Sequence, residues 1–278
     1  MLMIDRRFGK QDYSRYQFIK VEKQDKVAVV TFNRPDSLNA FVLGMHGEME
    51  DIMAQINLDE DVNAVVITGA GRGFCAGADV GGQDKKASSW TTADRVYSVR
   101  QQRGRRLINN MLEMRQPTIA AVNGAAAGLG ATIALFCDIV VASEKARFGD
   151  THIRIGLVPG DGGCAIWPLL VGMSKAKELL WTGEIINAPE ALRLGLVSYM
   201  VPPEELMPKA MEIANRLAKG PATAIEYTKR ALNKRLREDV NLVMDFSDAA
   251  QSLMYFTDDH KEGPRAFMEK REARFTGR

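Results

Sequence analysis

The segment I-A-A-V-N-G-A-A-A-G-L-G-A-T-I-A-L-F-C-D-I-V-V-A, residues 119–142, decides the fold of this chain. It opens with a short apolar run, turns at Asn123 and Gly124, continues through small residues and closes with a second apolar run at 139–142. Short apolar runs rich in β-branched residues are typical of buried parallel strands. The segment therefore predicts two buried strands, joined by a glycine turn and a small-residue helix over 125–134 that can pack its backbone close to a neighbour.

The same alternation extends toward the N-terminus. Residues Phe18 to Lys23 and Val27 to Phe32 alternate as the strands of a hairpin that turns at Gln24 and Asp25. A helical spacing over Leu43 to Ile56 follows, and Ala64 to Thr68 reads as another buried strand. Strand, turn and helix repeat, which argues for right-handed crossovers and a largely parallel sheet. The predicted fold class is α/β.

The C-terminal part of the sequence changes character after Pro203. The strand patterns stop there, and four stretches have helical period: Glu204 to Ala218, Ala222 to Arg237, Val240 to Tyr255 and Lys261 to Arg274. We therefore draw one boundary, with a core over residues 1–200 and a helical region over 201–278. Helices that cannot close a core alone are expected to cover the sheet or a partner subunit.

The composition excludes several classes of protein. A net charge of +2 over 278 residues does not suit a general polyanion binder. The three cysteines lack regular spacing, which is typical of free thiols in a protein of a reducing compartment. No two of the three histidines have metal-ligand spacing. We expect no metal site, no secretory signal and no membrane span, hence a cytoplasmic protein. The basic cluster Lys229, Arg230, Lys234, Arg235 and Arg237 is interpreted as a solvated helix face, so we expect no nucleic-acid partner.

The glycine-rich stretch 69–82 admits three functional interpretations. A dinucleotide-binding loop would need G-x-G-x-x-G opening into a helix, but here the glycines fall as G-x-G-x-G and no helical pattern follows at once. The letters G-F-C-A-G at 73–77 imitate a nucleophile elbow around Cys75, although they do not pass from a strand directly into a helix. The third interpretation is a turn that points a backbone N–H at developing negative charge. A plain surface loop is the alternative to all three.

A second glycine cluster favours the third interpretation. Gly124, Gly128 and Gly130 lie between a buried strand and a small-residue helix, where a backbone N–H near the helix N-terminus can bind an anion. Two such turns can form an oxyanion hole.

At this point the chain resembles the crotonase (enoyl-CoA hydratase/isomerase) superfamily. The motifs are G-R-G-F-C-A-G-A-D from Gly71, I-A-A-V-N-G from Ile119, C-D-I-V from Cys137 and G-L-V-P-G from Gly156, in the family's order. The resemblance implies a spiral of ββα units with a helical C-terminal region that assembles trimers and often hexamers. It also implies a reaction that passes through the enolate of an acyl-CoA thioester, whose oxygen is stabilised by the N–H groups of Ala78 and Leu129.

The resemblance also locates the acid and base positions. Hydratases of the family carry glutamates where this chain has Thr132 and His152. In their place the chain offers His152 with Asp161, nine residues on, and a carboxylate bonded to an imidazole makes its other nitrogen a better base. This spacing is similar to that of the β-diketone hydrolase branch. We expect His152 as general base and Asp161 as its orienter or the proton donor. Hydrolytic C–C cleavage is the leading reaction, with enoyl-CoA hydration or isomerisation as the alternative.

The remaining site residues follow from the same resemblance. Coenzyme A, as part of the substrate and not a tightly bound cofactor, is expected near Asn39, Ala40 and Ala76, and at Phe267 and Lys270 of the last helix. Thr132 and Trp167 are expected to line the acyl pocket. The chain has Asp36 and Gly81 where relatives often have lysines, which leaves Lys85 and Lys86 as candidates for the nucleotide phosphates.

Two further classes stay open on the sequence. One is a hydrolase with Cys75 as nucleophile, and the other is a family member that binds acyl-CoA without catalysis.

Overall fold

The computed structural model describes residues 11–79 and 99–278. Its strands are, in chain order, β1 (Ile19–Gln24), β2 (Val27–Phe32), β3 (Ala64–Gly69), β4 (Gly73–Cys75), β5 (Thr118–Val122), β6 (Ala125–Ala127), β7 (Ile139–Ser143), β8 (Arg147–Gly149), β9 (Ile186–Asn187) and β10 (Tyr199–Val201). The helices are α1 (Leu43–Leu58), α2 (Val99–Glu113), α3 (Leu129–Phe136), α4 (Gly163–Val171), α5 (Met173–Thr182), α6 (Ala188–Arg193), α7 (Leu206–Ala218), α8 (Ala222–Met254) and α9 (Asp258–Met268).

The strands of the described residues form two sheets. The larger has the order β1-β2-β3-β5-β7-β10, and all its neighbours are parallel except the β1–β2 hairpin. The smaller has the order β4-β6-β8-β9 and is parallel up to the last pair. The chain thus alternates between the two sheets, which confirms the predicted α/β class with a largely parallel sheet.

Alternate residues of the large sheet serve two cores. Ala28 and Val30 of β2 face the main core, which lies between the large sheet, the small sheet and most of the helices. Val27 and Val29 face the other side, where α7 covers the sheet with Leu206, Ala210, Ile213, Ala214 and Ala218. This two-sided burial explains why the strands read as continuous apolar runs. It also confirms that a C-terminal helix covers the sheet.

Three predicted elements differ in extent from those observed. The small-residue run divides into β6 and α3, because Gly128 has φ of +51° and interrupts the chain between them. The two helices predicted over 222–237 and 240–255 are one helix, α8, since no glycine or proline separates them. The helix predicted to reach Arg274 ends at Met268, and Lys270 has φ of +54°. The start of the helix predicted from Arg95 and the predicted loop over 83–92, with Lys85 and Lys86, lie outside the described residues.

Lys229 does not belong to a solvated helix face. It is 7% exposed, and its ammonium group donates to the Asp138 carboxylate at 2.7 Å and to the Gln116 carbonyl at 2.9 Å. The same Asp138 oxygen accepts from the backbone N–H of Thr118 at 2.7 Å. A buried charge is tolerated when it is paired in this way. This ion pair holds α8 against the N-terminal end of β5.

Glycines let helix α3 and the turn before β6 pack with backbone against backbone on β4 and the residue before it. A Cβ atom on Gly130 would overlap the carbonyl oxygen of Cys75, and one on Gly124 would overlap that of Arg72. The start of α3 therefore packs directly on β4 without intervening side chains. Within 11–79 and 99–278, no helix combines the length and apolar character needed to cross a bilayer.

We expect Gly130→Ala to lower the free energy of unfolding by about 3 kcal/mol, because the added methyl cannot be accommodated against backbone. Gly47→Ala is the matched control, since Gly47 is exposed on α1 with nothing within 4 Å of an added Cβ. It should raise the same free energy by about 1 kcal/mol through helix propensity. Urea denaturation followed by circular dichroism measures both. Equal stabilities of the two variants would contradict the backbone contact.

Candidate active site

The first turn of the site follows strand β4 and presents the N–H of Ala78. Phe41 holds this turn, since its N–H donates to the Gly77 carbonyl at 2.7 Å and its carbonyl accepts from Asp79 at 3.0 Å. Arg34 braces it from outside through an ion pair of 3.0 Å with Asp79. The backbone N–H of Ala78 donates to no acceptor within the described residues.

The second turn follows strand β6 and presents the N–H of Leu129. Gly128 takes φ of +51°, a conformation that favours glycine, and Leu129 is the first residue of α3. The first N–H groups of a helix have no partner within it, and no acceptor of the described chain faces that of Leu129. A Cβ on Gly77 would lie 2.9 Å from the Ala127 carbonyl oxygen, so the two turns are in contact. Two unpaired donors on touching turns favour a developing oxyanion.

His152 lies on a 3₁₀ helix (His152–Ile155) that follows strand β8. A Cβ on Gly128 would lie 3.4 Å from Cε1 of His152, so the imidazole stands against the second turn. Its Nδ1 is 2.6 Å from Oδ1 of Asp150, and its Nε2 is 3.4 Å from Oδ2 of Asp161. The imidazole thus lies between two carboxylates next to the pair of free N–H groups.

Asp161 is fixed by the turn that leads into α4. The Thr132 hydroxyl donates to Oδ1 of Asp161 at 3.2 Å, which leaves Oδ2 facing the imidazole. Gly162 has φ of +114°, and helix α2 packs behind with Gly104, where an added Cβ would lie 3.6 Å from Cα of Asp161. The predicted approach of Asp161 to His152 is therefore present, and the hydroxyl of Thr132 is already engaged.

The sequence predicts Asp161 as the orienter of His152 or the proton donor; the carboxylate beside Nδ1 is that of Asp150, which sequence reasoning missed. It is fully buried, and its Oδ1 also accepts the backbone N–H of His152 at 3.2 Å. An Asp that accepts from the backbone two residues on forms an Asx turn. The letters D-T-H directly after the F-G of β8 are the pattern that could have revealed it.

The electrostatics of the pair favour a cationic imidazole. Burial lowers the pKa of His152, but the charges of Asp161 and Asp150 and the hydrogen bond to Asp150 outweigh it and raise that pKa to about 9. Burial raises the pKa of Asp161, although the imidazolium opposes this. At neutral pH His152 is therefore able to donate a proton.

The structure argues against Cys75 as a nucleophile. Its side chain is fully buried, and burial raises the pKa of its thiol to about 12. Because the thiolate is the nucleophilic form of cysteine, this group is inert at neutral pH.

The residues expected near coenzyme A occupy two regions. Asn39 is fully buried, and its side chain donates to the carbonyls of Ala70 and Gly73 at 2.9 and 2.8 Å, so it shapes the loop from within. Ala40 and Ala76 lie beside the first turn, with the Ala76 N–H bonded to Leu38. Phe267 is 66% exposed at the end of α9, and Lys270 is exposed just beyond it.

Trp167 lies in the main core with no exposed surface, and its Nε1 has no partner among residues 11–79 and 99–278. Its predicted place in the acyl pocket stays a prediction. The donor atoms of Asp150, His152 and Asp161 lie within 4.8 Å of one another, a set that could hold a cation. Both ring nitrogens of His152 already face carboxylates, so a cation would have to displace the proton between His152 and Asp161.

Comparisons with known proteins agree with this fold. Residues 22–278 match the family model described as enoyl-CoA hydratase/isomerase. The chain is 40% identical to a short-chain-enoyl-CoA hydratase of Clostridium acetobutylicum, over 91% of this chain and 95% of the relative. It is 39% identical to a crotonyl-CoA hydratase of Syntrophomonas wolfei, over 94% and 98%. The crystal structure of an enoyl-CoA hydratase from Mycobacterium avium subsp. paratuberculosis superimposes with a TM-score of 0.84 at 33% identity, covering 94% of this chain and 99% of that one.

We expect His152 to titrate near pH 9 in the folded protein, above its ordinary value of about 6.5. Its contribution to stability should be complete below pH 6.5 and lost as the pH rises through 9. Asp150→Asn and Asp161→Asn should each lower this pKa, since each removes a neighbouring negative charge. NMR titration of ¹⁵N-labelled histidine measures it, with His152→Gln to assign the resonance. An unchanged pKa in both variants would contradict the arrangement.

Proposed function

The chain belongs to the enoyl-CoA hydratase/isomerase family, and on that premise we propose that it adds water across the double bond of a short enoyl-CoA thioester. One observation carries the proposal: the His152 imidazole and the Asp161 carboxylate stand together against the turn that presents the Leu129 N–H. The relatives that are about 40% identical are named as hydratases. These names favour hydration over C–C cleavage as the reaction of this chain.

The proposed steps use groups of this chain alone. Asp161 accepts a proton from water, and the resulting hydroxide attacks the β carbon of the enoyl group. The electron pair of the double bond moves into the thioester, whose enolate oxygen is stabilised by the N–H groups of Ala78 and Leu129. The proton held by His152 and Asp161 then passes to the α carbon. Water has been added, and the pair returns to its starting state.

The roles of the three site side chains follow from their places. Asp150 holds Nδ1 of His152, so it orients the ring, and the hydroxyl of Thr132 orients Asp161. His152 is the donor rather than the base, because its pKa is raised to about 9. His152 and Asp161 together thus carry out the proton transfers that two glutamates carry out in the hydratases that the chain resembles.

A second candidate is hydrolytic cleavage of a β-ketoacyl thioester. The imidazole–carboxylate pair at the positions of the family's glutamates favours it. Hydroxide would attack the keto carbonyl, and the bond between the α and β carbons would break. Its electron pair would form the same thioester enolate, which takes the proton on the α carbon. The products would be a carboxylic acid and a shortened thioester.

We expect the protein to convert crotonyl-CoA to a 3-hydroxyacyl-CoA, with products identified by mass spectrometry. His152→Gln and Asp161→Asn should each lower kcat by about 10²–10⁴, the usual range for a proton-transfer residue. Cys75→Ala should keep wild-type kcat and serves as the control. A β-ketoacyl-CoA tested in parallel reports the second candidate. Wild-type turnover in both His152 and Asp161 variants would overturn the pair, and binding without turnover of either substrate would indicate a non-catalytic member.

We also propose that the chain assembles into trimers or hexamers. Leu242, Phe246 and Leu253 of α8 are 79%, 79% and 65% exposed and recur on one helix face. Large exposed apolar side chains grouped in this way are typical of an interface between subunits.

Replacing both Leu242 and Phe246 by Lys should therefore lower the mass of the particle to that of one chain. Light scattering coupled to size exclusion measures that mass. The control is Leu232→Lys, because Leu232 is also exposed on α8 but lies ten residues before Leu242, about 15 Å away along the helix axis. A wild-type protein that is already monomeric would refute the assembly.

A further inference from the structure

Helix α9 packs with backbone against backbone on the 3₁₀ helix that carries His152. A Cβ on Gly263 of α9 would lie 2.5 Å from Cα of Ile155, the last residue of that 3₁₀ helix. A Cβ on Gly156 would in turn lie 2.8 Å from the carbonyl carbon of Asp259, in the first turn of α9. A glycine on each side therefore brings the two backbones into direct contact.

The side chain of His260 adds a hydrogen bond to this contact. Its Nδ1 lies 2.8 Å from the carbonyl oxygen of Ile155. Because a carbonyl oxygen can only accept, the imidazole of His260 is the donor and carries a proton on Nδ1. The last carbonyls of a helix have no partner within it. His260 therefore satisfies the far end of the short helix that begins at His152.

His260 is held in place before it meets this carbonyl. Its backbone N–H donates to the Thr257 hydroxyl at 3.1 Å, and its ring stands edge to face with that of Tyr255, with 4.8 Å between the ring centroids. The first turn of α9 is fixed in addition by the carboxylate of Asp259, which accepts the backbone N–H of Thr276 at 2.6 Å. The donor thus has a defined position and direction.

The 3₁₀ helix cannot fix its own place. It is four residues long, and a single helical turn is unstable without tertiary contacts. Asp150 holds its start, through the backbone N–H and Nδ1 of His152, while α9 holds its end. A shift of this helix would change the distance of 3.4 Å between Nε2 of His152 and Oδ2 of Asp161.

We propose that His260 is a positioning residue of the reaction, which acts through His152: its hydrogen bond to the Ile155 carbonyl fixes the 3₁₀ helix, so that the His152 imidazole keeps its place between Asp150 and Asp161. The C-terminal helical region thereby takes part in the active site. This inference rests on the proposed function for its effect on turnover, whereas the effect on the place of the imidazole does not.

The first test compares two substitutions of His260 with crotonyl-CoA as substrate. His260→Leu removes the donor, and we expect kcat to fall by about tenfold to a hundredfold, because small displacements of a reacting group have effects of this size. KM should stay at the wild-type value, since the oxyanion donors Ala78 and Leu129 are not touched. His260→Asn should restore most of kcat, because its Nδ2 occupies the place of the histidine Nδ1. A wild-type kcat in His260→Leu would overturn the proposal.

The control for the kinetic test is Lys261→Gln. Lys261 is exposed on α9 beside His260, and it pairs with Asp258 of the same helix at 2.7 Å. This variant alters α9 without altering the hydrogen bond to Ile155, and it should keep the wild-type kcat. A loss of kcat equal to that of His260→Leu would mean that any weakening of α9 lowers turnover, and the specific role of His260 would be refuted.

The second test needs no substrate. The proton on Nδ1 of His152 lies in a hydrogen bond of 2.6 Å to Asp150, and a proton in so short a bond gives a separate low-field NMR resonance. Its absence from His152→Gln assigns it. The resonance should shift or broaden in His260→Leu and keep its position in His260→Asn and Lys261→Gln. If it does so while wild type converts no thioester, the proposed function fails and the positioning role stands. An unchanged resonance in His260→Leu refutes that role whatever the activity.

Folding of each variant is checked by its melting temperature. Should His260→Leu fail to fold, Tyr255→Leu decides, because it keeps the donor but removes the ring that sets the direction of the His260 imidazole. It should lower kcat less than tenfold and shift the same low-field resonance. A wild-type resonance in Tyr255→Leu would then contradict the proposal.

Discussion

The contact between the start of α3 and strand β4 is the constraint on which the site depends. It is made by backbone on both sides, because Gly130 leaves the Cys75 carbonyl room that a methyl group would fill. Side chains could not hold two N–H groups at a fixed separation as firmly, since they have rotamers to choose from. The two turns follow neighbouring strands of the small sheet, β4 and β6, and this contact locks the turns together. Their N–H groups thereby become one feature.

The side chains around this backbone site carry more negative charge than positive. Asp150 and Asp161 lie on either side of a single imidazole, and both are almost completely buried. Burial alone would make such acids neutral and His152 neutral as well. The imidazolium of His152 opposes the effect of burial on the pKa of Asp161. The site is therefore built to hold one proton tightly and to pass it over a short distance.

The sequence predicted the parts of this structure that depend on local pattern. The strands at 27–32, 64–68 and 139–142 appear with ends shifted by at most one residue, since buried parallel strands read as uniform apolar runs. Ala78 and Leu129 lie on the predicted turns, and His152 lies near Asp161. Strand β6 was missed because three alanines carry no strand pattern; only pairing with β4 and β8 makes them a strand. Asp150 was missed because an Asp before a histidine looks like an ordinary turn residue until its burial is known.

The contacts that helix α8 makes at its two ends could not have been found from pattern at all. The helix runs from Ala222 to Met254 without a break, so its residues serve the β5 entrance through Lys229 at one end and the Asp161 loop through Ser247 and Gln251 at the other. A helical period assigns residues to faces but not to neighbours 90 residues away in the chain. The division at residue 200 therefore separates regions of different composition, while the contacts of α8 cross it to reach the entrance of β5 and the Asp161 loop.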